Sequence, residues 1–307
     1  MKTDLHLNNQ NNKHHFKRNA LSINTWGILF IIPAATFFLV VNIIPMIYAF
    51  FLSFHDWNFL SSKMTYVFLE NYINLLKDPL FLKSLWNTFL YTLIIVPLTL
   101  AFSLFCALLL NSGIKHVSFF RVIYFIPFIT SIIAVGYIWK WLYDPTFGIL
   151  NYMLAWIGLS CPFLKSTITS LPSIALMSVW KSLGFNIIIF LAGLQSIPDT
   201  VYEAARIDGA NKWRTFWKIT LPLLNPTVIF LTVMGIMHSL KIFSEIFAMT
   251  ESGGPLHSTQ SVVYRIVETS FKSYQMGYGA AMSTILFLII ITVTIIQMKI
   301  LTKKFNY

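Results

Sequence analysis

Three ionisable side chains, His238, Lys241 and Glu245, stand within one apolar run of the sequence, and a fourth, Lys181, lies inside another. Placing such a group at mid-depth of a bilayer costs at least about 2.5 to 3.5 kcal/mol on insertion scales, so each needs a chemical reason. An imidazole beside an ammonium and a carboxylate could serve as acid and base in an enzyme embedded in the membrane. No nucleophile or metal-ligand set accompanies them, and the sequence holds no HExxH and no GxSxG, which leaves that reading little support. For Lys241 and Glu245 the structural alternative is an ion pair four residues apart on one helix face, and the Lys241 stem could also snorkel toward an interface. Lys181 is joined by Ser182, Phe185 and Asn186, a set that could line a polar path. Gly184 would interrupt the helix there and let backbone groups face a cavity.

Other chemistries find no footing. None of the 13 glycines is followed by Lys, so a phosphate-cradling loop is absent and any ATP must be used by another chain. Cys106 lies inside an apolar run and Cys161 between two, so both are expected as free thiols. His14-His15 sits in a polar tail and reads as a solvated pair; no metal and no cofactor are expected. The net charge of +11 could suggest nucleic acid, but the basic residues are scattered between apolar runs and do not line one soluble domain.

The elements that must hold these residues are membrane spans. The chain is 56% hydrophobic and only 11% charged, against about 25% charged in soluble domains. Six apolar runs reach or approach the roughly 20 residues that cross hydrocarbon: 26–52, 85–110, 117–142, 172–195, 221–248 and 279–300. Pro33, Pro45 and Pro127 fall inside runs and are expected to bend them. Residues 1–24 are polar, lack a small-residue cleavage site and read as a disordered cytoplasmic tail. An even number of spans puts both termini on one side. Lys17 and Arg18 of the tail, the Lys115/Arg121 turn, Arg206, Lys212, Arg214 and Lys218, and Lys303 with Lys304 identify that side as the cytoplasm. Longer loops at 53–83, 143–171 and 249–275 lie opposite, the first with a short helix expected at 71–76.

Between the fourth and fifth runs lies a charged, aromatic hairpin, residues 201–226. Thr200 and Glu203 have capping-box spacing, so a short helix should start there and end near Gly209, with Asn211 capping a second. Trp213, Phe216 and Trp217 then share one face. The pattern suits a loop resting on the membrane surface, or a docking element for another protein.

The string Glu203-Ala204-Ala205, Asp208-Gly209-Ala210, Ile219-Thr220-Leu221-Pro222, with Gly193-Leu194-Gln195-Ser196-Ile197-Pro198 upstream, resembles the EAA loop of permease subunits in binding-protein-dependent ABC importers, in its carbohydrate branch. The resemblance implies an all-α, six-span, MetI-like transmembrane domain of the type I importer fold over residues 25–307, in the cell membrane, with the coupling loop at about 199–222. It implies that Glu203, Ala204, Ala205, Asp208 and Gly209 seat in a cytoplasmic ATPase dimer, which uses the ATP. It further implies a second permease subunit making a heterodimer, and an extracytoplasmic binding protein docking on the outer loops. By the same resemblance the sugar-site positions fall on Lys181, Ser182 and Phe185, and on Gly235, His238, Ser239 and Ile242, of which Gly235 and Ile242 bring no polar group. The implied cargo is a mono- or oligosaccharide; the alternative is glycerol 3-phosphate, with Lys181 facing the phosphate.

Overall fold

A computed structural model describes residues 30–61, 63–112 and 117–302. The expected tail, Lys115, Lys303 and Lys304 lie outside the described residues. The chain divides into two units, Met1–Leu52 and Ser53–Tyr307, each taken here by itself.

The first unit holds one span, α1 (Phe30–Leu52). Pro33 leaves it helical, and Pro45 follows a π-helical turn, Leu39–Ile43, one of the local adjustments by which membrane helices absorb a missing donor.

The second unit opens with a small antiparallel pair, β1 (His55–Trp57) and β2 (Met64–Tyr66), with His55 opposite Tyr66 and Trp57 opposite Met64. Three-residue strands are too short to show alternation, so no periodicity marks them in advance. The expected short helix follows as α2 (Glu70–Leu75). Then comes α3 (Pro79–Asn111), started by Asp78, whose Oδ1 accepts from the Leu80 and Phe81 amides at 2.8 and 3.3 Å while Pro79 takes the first helical position. Pro97 does not stop it.

The third apolar run is not one helix. It divides into α4 (Val117–Ile129) and α5 (Ile132–Leu142), whose axes differ by 105°. Pro127 lies within α4; the break itself falls at Thr130 and Ser131, past the proline. After α6 (Ile149–Ala155), α7 (Ser170–Gln195) crosses unbroken. Gly184 therefore does not interrupt the helix as expected. Its missing side chain instead lets the backbone of α4 approach, since a Cβ there would collide with the Tyr124 carbonyl oxygen.

The hairpin comprises α8 (Asp199–Ile207) and α9 (Lys212–Leu223), and a 65° bend leads from α9 into α10 (Asn225–Ser239). The fifth run breaks again. Residues 240–243 are not helical, and α11 (Ser244–Met249) begins after them. A helix of α12 (Val262–Val267) continues through a π-helical turn to Lys272, and α13 (Met276–Thr302) is the last span. Among the described residues four helices are thus long and apolar enough to cross alone, and the two bent pairs bring the number to six if each counts as one span. The expected all-α membrane class holds.

At the centre α3 packs on α7, with α4 also on α7 and α10 on α3. The short halves α5 and α11 pack on each other, where Gly136 leaves just enough room for Ala248. One buried cluster joins Tyr91, Ile95, Val135, Ile174, Met177 and Ile246 around these outer halves, and another joins Ala107, Ile187, Phe190, Leu194, Leu224 and Leu231 toward the hairpin.

The loop before α12 is held by one face of α3. Lys83 Nζ donates to the Leu256 carbonyl at 2.7 Å, Asn87 Nδ2 to those of His257 and Gln260 at 3.1 and 3.0 Å, and the Tyr91 hydroxyl to that of Thr259 at 3.1 Å. Beside it Arg265 reaches Asp78 and Glu268, each at 3.7 Å, tying α12 to the start of α3.

Candidate functional site

Two places gather the residues singled out in the sequence: the hairpin and a cavity among α3, α4, α7 and α10.

In the hairpin, α8 starts two residues earlier than the capping box predicted, with Pro198 and not Thr200 at the cap. No side chain caps it, so Thr200 already lies inside the first turn and Glu203 does not reach back. Asp199 in that first turn supplies the negative charge a helix start favours. The end follows expectation. Gly209 has φ +73°, its amide donates to Arg206 O at 3.1 Å, and the Ala210 amide donates to Ala205 O at 2.9 Å, a paired C-terminal closure. Asn211 caps the next helix as expected, Oδ1 accepting from the Arg214 amide at 2.8 Å. Of the Glu-Ala-Ala string, Ala205 is buried against the chain while Glu203 and Ala204 face outward. Ile207 is 87% exposed and Trp213 71%, so α8 and α9 together present an apolar surface edged by Arg206, Lys212 and Arg214.

The cavity has a volume of about 360 Å³, within the range of about 300 to 1,000 Å³ usual for small-molecule sites. From α7 come Ser182, Phe185 and Asn186, and from α10 Met234, Gly235 and His238. Phe128 of α4 closes one side, its ring stacked on Phe185 at 5.3 Å between centroids and 24° between planes. Thr99 of α3 lines it too, and its Oγ1 is buried without a hydrogen-bond partner. Ser182 Oγ and Asn186 Nδ2 donate to the carbonyls of Ser178 and Ser182 at 2.6 and 2.8 Å, leaving their remaining acceptor capacity, Asn186 Oδ1 above all, for a ligand. The site therefore joins an aromatic face to a few polar groups. That is the composition needed to hold a molecule with C–H faces and hydroxyls.

Four of the six expected path residues, Ser182, Phe185, Asn186 and His238, thus share one cavity; the other two stand behind it. Ser239 is fully buried, its hydroxyl 3.0 Å from Thr92 Oγ1 and 3.1 Å from Ile236 O. Lys181 Nζ donates to the carbonyls of Pro127, Phe128 and Thr130 at 2.9, 3.1 and 2.7 Å. Ile242 is in the core. Gly235, set aside for lack of a polar group, lines the cavity through its backbone, and Thr99 and Phe128 were missed. A lone Thr or Phe within an apolar run is what any span contains, so no local signal marked either.

The expected Lys241–Glu245 pair does not form. Lys241 lies in the break between α10 and α11, so the four-residue spacing no longer sets the two side chains on one face. Lys241 is exposed and Glu245 buried, and both border a smaller hollow of about 250 Å³ that shares His238 and Met234 with the first. Among the described residues no group of His, Cys, Asp and Glu could hold a metal ion.

The family described as "Binding-protein-dependent transport system inner membrane component" matches residues 80–307. A multiple sugar-binding transport system permease protein of Streptococcus mutans is 35% identical over 288 residues, 92% of this chain and 96% of that protein. An sn-glycerol-3-phosphate transport system permease protein of Yersinia pestis is 31% identical over 242 residues, 79% and 82% of the two. Among solved structures, a chain of a bacterial alginate ABC transporter, crystallised with its periplasmic protein bound to an alginate pentasaccharide, superposes with a TM-score of 0.80 at 22% identity, covering 91% of this chain and 94% of that one.

Proposed function

The chain belongs to the family of binding-protein-dependent transport system inner membrane components, and on that premise we propose that it is one half of a heterodimeric permease importing a neutral mono- or oligosaccharide. It is a multi-pass cell-membrane transport component and not an enzyme. A substrate-binding protein and an ATPase are the partners such a family implies. ATP is hydrolysed by a cytoplasmic ATPase dimer, into which Glu203, Ala204, Ala205, Asp208 and Gly209 fit as the coupling helix and its closing turn. Burial of Ala205 fixes that helix to the hairpin while Glu203 and Ala204 stay free to meet a partner. Closure of the ATPase pair moves this hairpin and its counterpart on the second subunit, and the cavity opens alternately to the two sides.

The observation that carries the sugar reading is the cavity. Its Phe128–Phe185 stack offers a face to sugar C–H groups, and the Ser182, Asn186 and His238 side chains exchange hydrogen bonds with hydroxyls. Glycerol 3-phosphate is favoured less, because the ammonium that would meet the phosphate, Lys181, already gives its three donors to backbone carbonyls. The assembled complex bearing Asn186→Cys, in a chain lacking Cys106 and Cys161, tests this with a water-soluble thiol reagent. Sugars offered with their binding protein should slow labelling. Protection by glycerol 3-phosphate alone would favour the phosphate, and labelling as slow as at the lipid-facing control Leu288→Cys would remove the path assignment.

A further inference from the structure

We propose that Lys181 is a positioning residue, which holds the break between α4 and α5 and through it sets the aromatic wall of the cavity without touching the cargo. The inference rests on the reading of that cavity as the translocation path.

The last carbonyls of a helix have no partner within it. At a water interface this is harmless; inside a bilayer each such group must be satisfied by protein or by water in a cavity. Helix α4 ends at Ile129, and the chain turns through 105° before α5, so its final carbonyls do not continue into the next helix. Ile126 O is taken by the amide and the hydroxyl of Thr130, at 3.2 and 2.8 Å. Pro127, Phe128 and Thr130 are taken by Lys181 Nζ, all within 3.1 Å. An ammonium carries three donors and no acceptor, so three carbonyls account for its hydrogen-bonding capacity. The charge is met by the negative end of the α4 dipole as well as by the carbonyls themselves.

Four residues on, the same face of α7 holds the same partner a second time. Lys181 takes the Phe128 carbonyl and Phe185 takes the Phe128 ring, while Gly184 between them admits the backbone at Tyr124. Residues 181, 184 and 185 are thus one seat, spaced i, i+3 and i+4, for the end of a broken span. Remove the ammonium and the carbonyls must find other donors, from protein or from water in the cavity, and the contact that fixed their place is lost. Phe128, attached to one of them, is then free to move. The cavity then changes shape from a residue that does not line it.

The test uses the complete transporter, in a chain lacking Cys106 and Cys161, with Ser182→Cys as reporter of the cavity. Lys181→Met keeps length and apolar stem but has no donor, and Lys181→Gln restores two. With no substrate present, Lys181→Met should change the rate at which a water-soluble reagent labels position 182, and Lys181→Gln should lie between it and the parent. In chains that retain Ser182, Lys181→Met should raise the KM for uptake about tenfold with a maximal rate within about twofold of the parent, and Lys181→Gln should restore part of the loss. Unchanged labelling in Lys181→Met overturns the proposal. If uptake were lost at the same time, direct contact with cargo would be the better account. Should Lys181→Met fail to reach the membrane, Lys181→Gln decides by the same two readings, parental behaviour in both overturning the proposal. Absence of substrate protection at Asn186→Cys would instead remove the path reading, and leaves the dependence of position 182 on Lys181 to be read separately.

Discussion

Replacing Gly209 by Ala isolates the worth of one backbone conformation at the hairpin. Gly209 sits at φ +73°, and a Cβ added there would meet nothing within 4 Å. No packing is disturbed, so the cost is that of a non-glycine residue in the left-handed region, about 1 to 2 kcal/mol. When the turn opens in the free hairpin and must re-form on docking, that cost appears in the association with the ATPase. At 1.4 kcal/mol per factor of ten it weakens association by about 5- to 30-fold. Asn tolerates the left-handed region, so Gly209→Asn should fall between Gly and Ala. Gly209→Pro should be worst, because its fixed φ excludes +73° and its missing amide removes the bond to Arg206 O. The assay is titration of purified ATPase onto the permease pair in nanodiscs, with membrane recovery of each variant as control. Equal affinity for Gly and Ala, or Asn weaker than Ala, would refute the reasoning, as would loss of recovery in step with loss of affinity.

Gly184→Ala places a methyl against the Tyr124 carbonyl and 3.1 Å from Phe125 Cα, backbone atoms that cannot rotate away. It should destabilise by about 1 to 3 kcal/mol, read as a lower melting temperature of the purified complex. At Asp144, in the loop after α5, the Thr146 hydroxyl and then the Phe147 and Thr146 amides hold the carboxyl down at about 2, from an ordinary 3.8. The folded value lies below the unfolded one, so the turn gains from ionisation above about pH 4 and loses that gain as pH falls through about 2. An NMR titration of the carboxyl should show the lowered midpoint, and Thr146→Val, lacking the hydroxyl, should raise it.

What the sequence made legible was local or cumulative. Gly209 and Asn211 could be read because turn closure and capping depend on a few consecutive residues, and the six runs because hydropathy sums over twenty. Their continuity could not. Thr130-Ser131 and residues 240–243 break two spans without lowering the apolar content enough to show, and with the second break went the pairing of Lys241 with Glu245. Pro198 in place of Thr200 as the cap of α8 is within the one or two residues by which helix ends are uncertain. Lys181 announced its cost in a span, but the carbonyls that meet the cost lie more than fifty residues earlier, beyond any spacing argument. The same holds for Phe128, which becomes part of the cavity only because α4 and α7 pack.

The two interrupted spans also decide what kind of mechanical message can cross the membrane. A straight rod rotated at one end rotates at the other. Here the hairpin runs through a bend at Leu224 into α10, and α10 gives way to four non-helical residues before α11 begins. The other broken span bends by 105° between α4 and α5, and α5 and α11 rest on each other through Gly136 and Ala248. Jointed struts pass on displacement but not torque. In the coupling proposed above, a twist delivered at the hairpin would be lost at these joints, whereas a push would reach the outer pair as a translation. On that proposal the outer face would keep one shape through small fluctuations of the hairpin and respond only to a full stroke.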